Sequence, residues 1–519
     1  MRLSKSKFAV VDLFAGPGGL AEGFSAVKSS DGSRPFRIAL SVEKEPAAHA
    51  TLLLRSFLRQ FRNELPDEYY KFLNEASEEP DWATLYPKQW KDAQDHALLL
   101  ELGLDTTEEI LNERVDALRT TYRDKTILIG GPPCQAYSLV GRSRNRGIKD
   151  YRAEDDPRHR LYEQYIRILN RLCPAVFVME NVKGMLSSSL DASMVFDLIT
   201  ADLKAEGYHL LALTPPEDRR PTLLTRELKP SDFIVRGEDT GLPQARHRVI
   251  IVGINRKLFG DRPEPQGFER FLDNGAPKVT VKDVLSGMPR LRSGLSRHDS
   301  PAGWAAAART AASVVYDAVG GFPSTERRQI RDRVLECQRV FADRARIFPR
   351  GGNVAAKVGR QHFSISKWIN DPRLRALPNN DTRGHMPTDL ARYLFAAIFG
   401  EVIGMSPKAE DFPAVLAPDH KNWSSGKFSD RFRVQLYDQP STTITSHISK
   451  DGHYFIHPDP EQCRSLTVRE AARLQTFPDN YYFKGNRTAQ FIQVGNAVPP
   501  YLAKQIGDAV FSLLRRYLD

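Results

Sequence analysis

Cysteine is scarce in this sequence. There are four in 519 residues (Cys134, Cys173, Cys337, Cys463), far apart and with no C-x-x-C pair. That excludes a disulfide framework and a cysteine zinc site and fits a reducing compartment, so a cytoplasmic location is expected and no metal is. Long apolar runs are lacking as well. The first of them, FAVVDLFAG, is interrupted by Asp12 and is too short for a secretory signal or a membrane span. No repeat or low-complexity tract stands out. What remains is 41% hydrophobic and 27% charged, a globular chain long enough for two or more domains with full cores.

The charge is unevenly placed. Residues 61–125 carry 16 Asp and Glu against 8 Lys and Arg, whereas the whole chain is at +10 and residues 255–440 hold 30 Lys and Arg against 20 Asp and Glu. A basic region of that size suits a polyanion, because Lys and Arg displace the counterions condensed on nucleic-acid phosphates. A solvated, solubilising surface explains the charge alone equally well.

Up to residue 254, short apolar runs alternate with longer amphipathic stretches, the pattern of βαβ units in a parallel sheet. Strands are expected at 8–14, 38–43, 126–131, 175–180, 208–213 and 248–254. Helices are expected at 18–27, 46–61, 157–172, 190–206 and 499–516. The acidic segment 61–125 reads as a helical insertion in a first domain, 1–254. An Arg-rich second domain of irregular texture follows at 255–440, and residues 441–519 return to the first. Thr467 and Glu470 form an S/T-x-x-E capping box that opens a helix over 466–478.

Four stretches carry chemistry. DLFAGPGGLAEGF (12–24) is a Gly-rich turn between a strand and a helix, where backbone can approach a ligand, and Glu43 at the end of the next strand can accept from ribose hydroxyls. The glycines read G-x-G-G, not the G-x-G-x-x-G of dinucleotide sites, and alone they fit a tight turn better than a ligand site. GGPPCQ (130–135) places Cys134 behind two prolines at the end of another strand. A rigid thiol beside a cofactor turn suits covalent catalysis, though in isolation a packed cysteine is the simpler reading. In MENVKG (179–184), Glu180 ends an apolar strand, where partial desolvation favours proton donation, or it serves as a helix cap. In GLPQARHRVIIVG (241–253), Arg246 and Arg248 alternate and are expected on one face, as a clamp for phosphate or a carbonyl, or as a salt-bridged edge.

Together these stretches resemble the DNA cytosine-5 methyltransferase family of the bacterial restriction-modification or defence type. The order FAGPGG, Glu43, GGPPCQ, MENV, QARHR, TVREAARLQTFP, QVGNAVPP spans nearly the whole chain. The resemblance implies an α/β fold: a Rossmann-like S-adenosylmethionine-dependent methyltransferase domain with a mostly parallel sheet and helices on both faces, plus a smaller, irregular target-recognition domain. It also implies a reaction. Cys134 matches the nucleophile that adds to cytosine C6, Glu180 the residue acting at N3, and Arg248, with Arg246 and Asn181, the groups around the base. Phe14, Ala15, Gly16, Gly18, Gly19, Leu20, Glu43, Lys44, Pro132, Asn496 and Val498 match the cofactor pocket. Lys44 departs from the aromatic or apolar residue of some members, and the acid that reads the adenine amino group cannot be placed; Asp92 and Asp95 are candidates.

The implied substrate is double-stranded DNA with its target cytosine flipped out, since a base inside the duplex cannot reach a side chain. Gln135, Ser138 and Gln244, with Arg142, Arg144 and Arg146 in the Arg-rich loop after the cysteine, are expected on DNA. A monomer is expected, with a cognate restriction endonuclease or defence-system proteins as candidate partners. The rivals are a tRNA cytosine-5 methyltransferase, whose Cys-Phe-Thr signature is absent, and a catalytically silent DNA-binding relative, which would have lost Cys134, Glu180 or the glycines.

Overall fold

The computed structural model describes residues 8–61, 64–132, 157–186, 190–214, 229–259, 272, 275–343, 347–351, 363–419, 423 and 429–518. Nine strands belong to the first region: β1 (Phe8–Leu13), β2 (Phe36–Glu43), β3 (Ala97–Leu99), β4 (Thr126–Gly130), β5 (Val176–Val182), β6 (Tyr208–Leu211), β7 (Ile234–Arg236), β8 (Gln244–Ala245) and β9 (His247–Asn255). The main sheet runs β3-β2-β1-β4-β5-β9-β6, with β7 also on β9. β1, β2, β3, β4 and β5 are parallel, and β9 runs antiparallel to β5, β6 and β7.

Parallel strands need crossovers, and the crossovers cover both faces. On one side lie α1 (Gly19–Ser25) and the C-terminal α13 (Pro500–Leu518), through Leu20, Phe24, Leu502, Ile506 and Val510 against Val10, Val178 and Ile250. On the other lie α5 (Asp105–Tyr122), α6 (Pro157–Leu172) and α7 (Leu190–Ala205), through Val115, Tyr165, Ile168 and Phe196 against Val11, Phe177 and Ile251. Adjacent residues of each strand feed opposite cores, as the period of two requires. α2 (Pro46–Leu58) follows β2, with Leu52 buried beside the first turn.

Two parts of the sequence reading change. Residues 97–122 are not an insertion: β3 pairs with β2, Glu43 opposite Leu99, and α5 packs on the sheet. A three-residue edge strand with one buried residue shows no alternation, and the acidic helices around it hide it. The additional helices are α3 (Asp67–Glu75), α4 (Pro87–His96) and one turn between them. The second region is also more regular than its texture suggests. α8 (Pro301–Ala318), α9 (Ser324–Ala342) and α10 (Pro387–Ile403) share a core of Trp304, Ala308, Ala312, Val334, Leu394 and Ile398. α8 is alanine-rich, capped by Ser300 on the Gly303 N–H (3.0 Å), so propensity holds it where a stripe of large apolar residues is missing.

The C-terminal part joins the two regions. In α11 (Val468–Leu474) the predicted capping box is present: Thr467 Oγ accepts from Glu470 N (3.1 Å) and the Glu470 carboxylate from Thr467 N (2.8 Å). α12 (Arg487–Asn496) then leads to α13 through Ala497. Among the described residues no helix is long and apolar enough to cross a membrane.

Candidate active site

The strand order reverses at β1, between β2 and β4, and the chemistry-bearing residues sit at the carboxyl ends around that point, where open α/β sheets bind ligands. The turn after β1 is left-handed at three positions, Phe14 (φ 56°), Gly16 (+57°) and Gly18 (+97°), and only Phe14 is strained there, since glycine adopts such angles freely. Ala15 N donates to Val42 O (3.0 Å), and Gly16 N donates to Glu43 Oε2 (2.7 Å), which ties the turn to the end of β2. A Cβ on Gly16 would meet no atom within 4 Å, so this backbone borders open space. A Cβ on Gly19 would lie 2.2 Å from the Val498 carbonyl; only glycine lets the segment before α13 press on the turn.

Glu43 is buried. Its Oε1 accepts from Lys44 N (2.9 Å) and Glu45 N (2.8 Å), and its Oε2, among the described residues, from Gly16 N alone. A carboxylate has about four acceptor positions, so one on Oε2 stays open for a hydroxyl. The exposed Lys44 places Nζ 3.2 Å from Glu101, which stands two residues beyond β3 at the same sheet edge. Asp92 and Asp95 lie on α4, ahead of β3 and thus at the opposite end of that strand, so neither sits at this edge. Leu20 packs its side chain into the core with Phe24, leaving only its backbone at the turn.

One residue missed by sequence reasoning lies under the turn. Asp12 is fully buried, neither carboxylate oxygen has a hydrogen bond among the described residues, and burial pushes its pKa from 3.8 up to about 8; Arg59 opposes this rise and Glu43 adds to it. A buried acid inside a strand carries no sequence signal beyond an interrupted apolar run. Beside it, Glu22 is held below its ordinary value: burial pushes it up, but Arg55 (2.5 Å) and Arg59 (3.6 Å) outweigh that. Tyr481 donates to the Pro17 carbonyl, and Arg55 lies over its ring at 4.4 Å.

At the ends of β4 and β5, a Cβ on Gly131 would lie 2.6 Å from the Glu180 carbonyl and 3.1 Å from its Oε2, which brings the chain leading to Cys134 against Glu180. Asn181 Nδ2 donates to the Pro132 carbonyl (3.2 Å) and its Oδ1 accepts from Val182 N (2.9 Å). Asn181 therefore holds the strand end that precedes Cys134 by two residues. Arg248, opposite Val182, brings Nε to 2.9 Å from Glu180 Oε1 in an ion pair without hydrogen-bond alignment.

The two other polar residues of that stretch are committed elsewhere. Arg246 sits between β8 and β9, not within the strand, and its guanidinium, 2% exposed, bonds to the carbonyls of Ile444, Gly495 and Ala497. It does not share a face with Arg248 as a clamp for a phosphate. Gln244, expected on DNA, is 0% exposed: Nε2 donates to Leu474 O (3.1 Å) and Gln475 Oε1 (2.5 Å), and Oε1 accepts from Ile444 N (2.9 Å). No atom of it is left for a base. Asn496 ends α12 exposed, while Val498 is buried against the turn. Cys134, Gln135, Ser138, Arg142, Arg144 and Arg146 lie outside the described residues.

Comparison with known proteins bears on this arrangement. A sequence profile of the C-5 cytosine-specific DNA methylases matches residues 106–300 and 343–512. The type II methyltransferase M.Bpa9945I of Bacillus paralicheniformis is 34% identical over 526 residues, spanning 96% of this chain and 98% of its own. The DNA (cytosine-5-)-methyltransferase M.ApeKI of Aeropyrum pernix is 26% identical over 75% of this chain and 82% of its own. A crystal structure assigned as an E. coli prophage DNA modification methyltransferase shares the fold, with a TM-score of 0.50 at 19% identity over 98% of this chain and 99% of its own.

Proposed function

This chain belongs to the C-5 cytosine-specific DNA methylases and is a DNA (cytosine-5-)-methyltransferase, and from that premise we propose how its residues divide the reaction. The observation that carries the assignment is the convergence of Glu180, Arg248 and the strand end at Gly131 and Pro132 beside the Gly16–Glu43 turn.

The crevice fits an adenosine-type ligand, with open space at Gly16 and an acceptor position free on Glu43. S-adenosylmethionine supplies the methyl group when bound there. The backbone of Phe14 to Leu20 and Pro132 would hold its methionine part, Glu43 its ribose and Glu101, at the same sheet edge, its adenine, while Val498 with Asn496 would close the pocket. Cytosine C5 is a poor nucleophile. Addition of the Cys134 thiolate to C6 of a flipped-out cytosine pushes electrons toward C5 and N3. Glu180 hydrogen-bonds or protonates N3, and Arg248 holds both the carboxylate and the base carbonyl. Asn181 positions the cysteine strand. Water takes the C5 proton before the cysteine leaves.

The basic, helix-containing region 255–440 is the target-recognition part, and the Arg-rich stretch after Cys134 binds DNA through Arg142, Arg144 and Arg146, with Gln135 and Ser138 contacting the substrate. The enzyme acts as a cytoplasmic monomer in this reading, and the type II designation of its relatives favours a modification role paired with a restriction endonuclease or other defence proteins. Labelled methyl transfer to unmethylated duplex DNA, with the product nucleoside identified, tests the reading. 5-Methylcytosine is expected, and Glu180→Gln should lower kcat by about 10²–10⁴. Methylation of tRNA alone, or an unaffected Glu180→Gln enzyme, would refute it.

A further inference from the structure

Arg246 is a buried guanidinium with no carboxylate bonded to it among the described residues. Nη1 donates to Ile444 O at 2.9 Å and Gly495 O at 3.4 Å, and Nη2 to Ala497 O at 2.9 Å and Gly495 O at 3.4 Å. Burying an arginine without a counter-ion is costly, and an apolar residue of similar volume would fill the space without that cost. Burial, with Arg248 nearby, drives its pKa well below the usual value. What only a guanidinium offers is a rigid planar fork that holds several carbonyls at once.

The carbonyls it holds come from two places. Ile444 follows the short strand Ser441–Thr442 that pairs with β8, and Gly495 and Ala497 bracket the end of α12, immediately before the Val498 carbonyl that presses on Gly19. Arg246 lies two residues before Arg248. The surrounding glutamines extend the same joint: Gln475 Nε2 donates to Ala497 O (2.7 Å) and Val494 O (3.1 Å), and its Oε1 accepts from Gln244. The packing has no slack, since a Cβ on Gly495 would lie 2.2 Å from Ser446 N.

We infer that Arg246 is a positioning residue that locks the cofactor-closing segment Asn496–Val498 to the strand bearing Arg248, so that one buried joint sets both the cofactor crevice and the Glu180–Arg248 pair. The inference rests on the reading of the crevice as the S-adenosylmethionine site. It assigns Arg246 to the protein's own carbonyls, not to DNA.

Full-length Arg246→Gln and Arg246→Lys test it against Val334→Ala, a change in the separate core of α8–α10. Thermal midpoint, calorimetric Kd for S-adenosylhomocysteine well below that midpoint, and kcat and KM are measured for each. Arg246→Gln is expected to raise Kd and KM for the cofactor roughly tenfold, in the range typical of coupled sites, and to lower kcat at saturating cofactor. Arg246→Lys, a point charge without the fork, should recover only part. Val334→Ala should lower the midpoint and leave Kd and KM for the cofactor unchanged. If the glutamine variant does not fold, Arg246→Lys and Gln475→Ala, which removes another donor to Ala497, carry the same expectation. Lowered midpoints with unchanged Kd, KM and kcat would make Arg246 an ordinary core residue, and a kcat loss with cofactor KM unchanged would return it to the DNA; either overturns the inference. Failure of the wild type to methylate DNA would instead refute the function, while the Kd series would still report on the joint.

Discussion

At Gly19 a single methyl group decides whether the Gly-rich turn and the segment before α13 can touch. Gly19→Ala puts a carbon 2.2 Å from the Val498 carbonyl. Overpacking of that kind costs about 1–3 kcal/mol, so a lower denaturant midpoint and weaker cofactor binding are expected together. Asp12 gives a pH signature. In the native state it keeps its proton up to about 8, whereas its ordinary value is 3.8. The native state therefore binds more protons than the unfolded chain across that window, and stability falls as pH rises through it, by at most about 1.4 kcal/mol per pH unit, and levels off above. Urea midpoints at pH 6 and pH 8 should differ less in Asp12→Asn than in the wild type. The residues of the site were legible where residue type and strand end coincide, as for Glu43 and Glu180. Burial was not legible: nothing in QARHR says that Gln244 and Arg246 face inward while Arg248 faces Glu180, because that follows from segments some 200 residues away.

Elements were legible where a local pattern stands alone. Long buried strands and amphipathic helices such as Pro157–Leu172 fall where periodicity puts them, and the Thr467–Glu470 box opens α11 as predicted. Thr467 also donates to Asn380 (2.7 Å), so Thr467→Ala should lose about 1–2 kcal/mol, read as a lower urea midpoint with the m-value unchanged. β3 and α8 were not legible, the one too short to alternate and the other held by alanine propensity. Nor was the docking of α3, whose role is set by residues far along the chain. Tyr70 donates to Asp371 (2.6 Å), Asn74 accepts from Arg375 N (2.6 Å), and Tyr69 donates to Asn480 O (2.6 Å), beside the Tyr481 that reaches the cofactor turn. The added helices thus brace the second region against the first.

Across the whole molecule the charge is segregated, with −8 in 61–125 and +10 in 255–440. If the basic region follows the DNA backbone, affinity falls steeply with salt: about 10³-fold between 50 and 200 mM for six phosphate contacts, measured by fluorescence anisotropy on one duplex. A shallow slope would place DNA binding elsewhere. The central claim is that this fold brings a cysteine nucleophile to an extruded cytosine. The most direct measurement incubates the protein and S-adenosylmethionine with random-sequence duplexes carrying 5-fluorocytosine, whose fluorine cannot leave as a proton does, and resolves the products on denaturing gels. The account predicts a covalent protein–DNA adduct that needs the cofactor and disappears in Cys134→Ser. An adduct that persists in Cys134→Ser, or one formed only on tRNA, would contradict it.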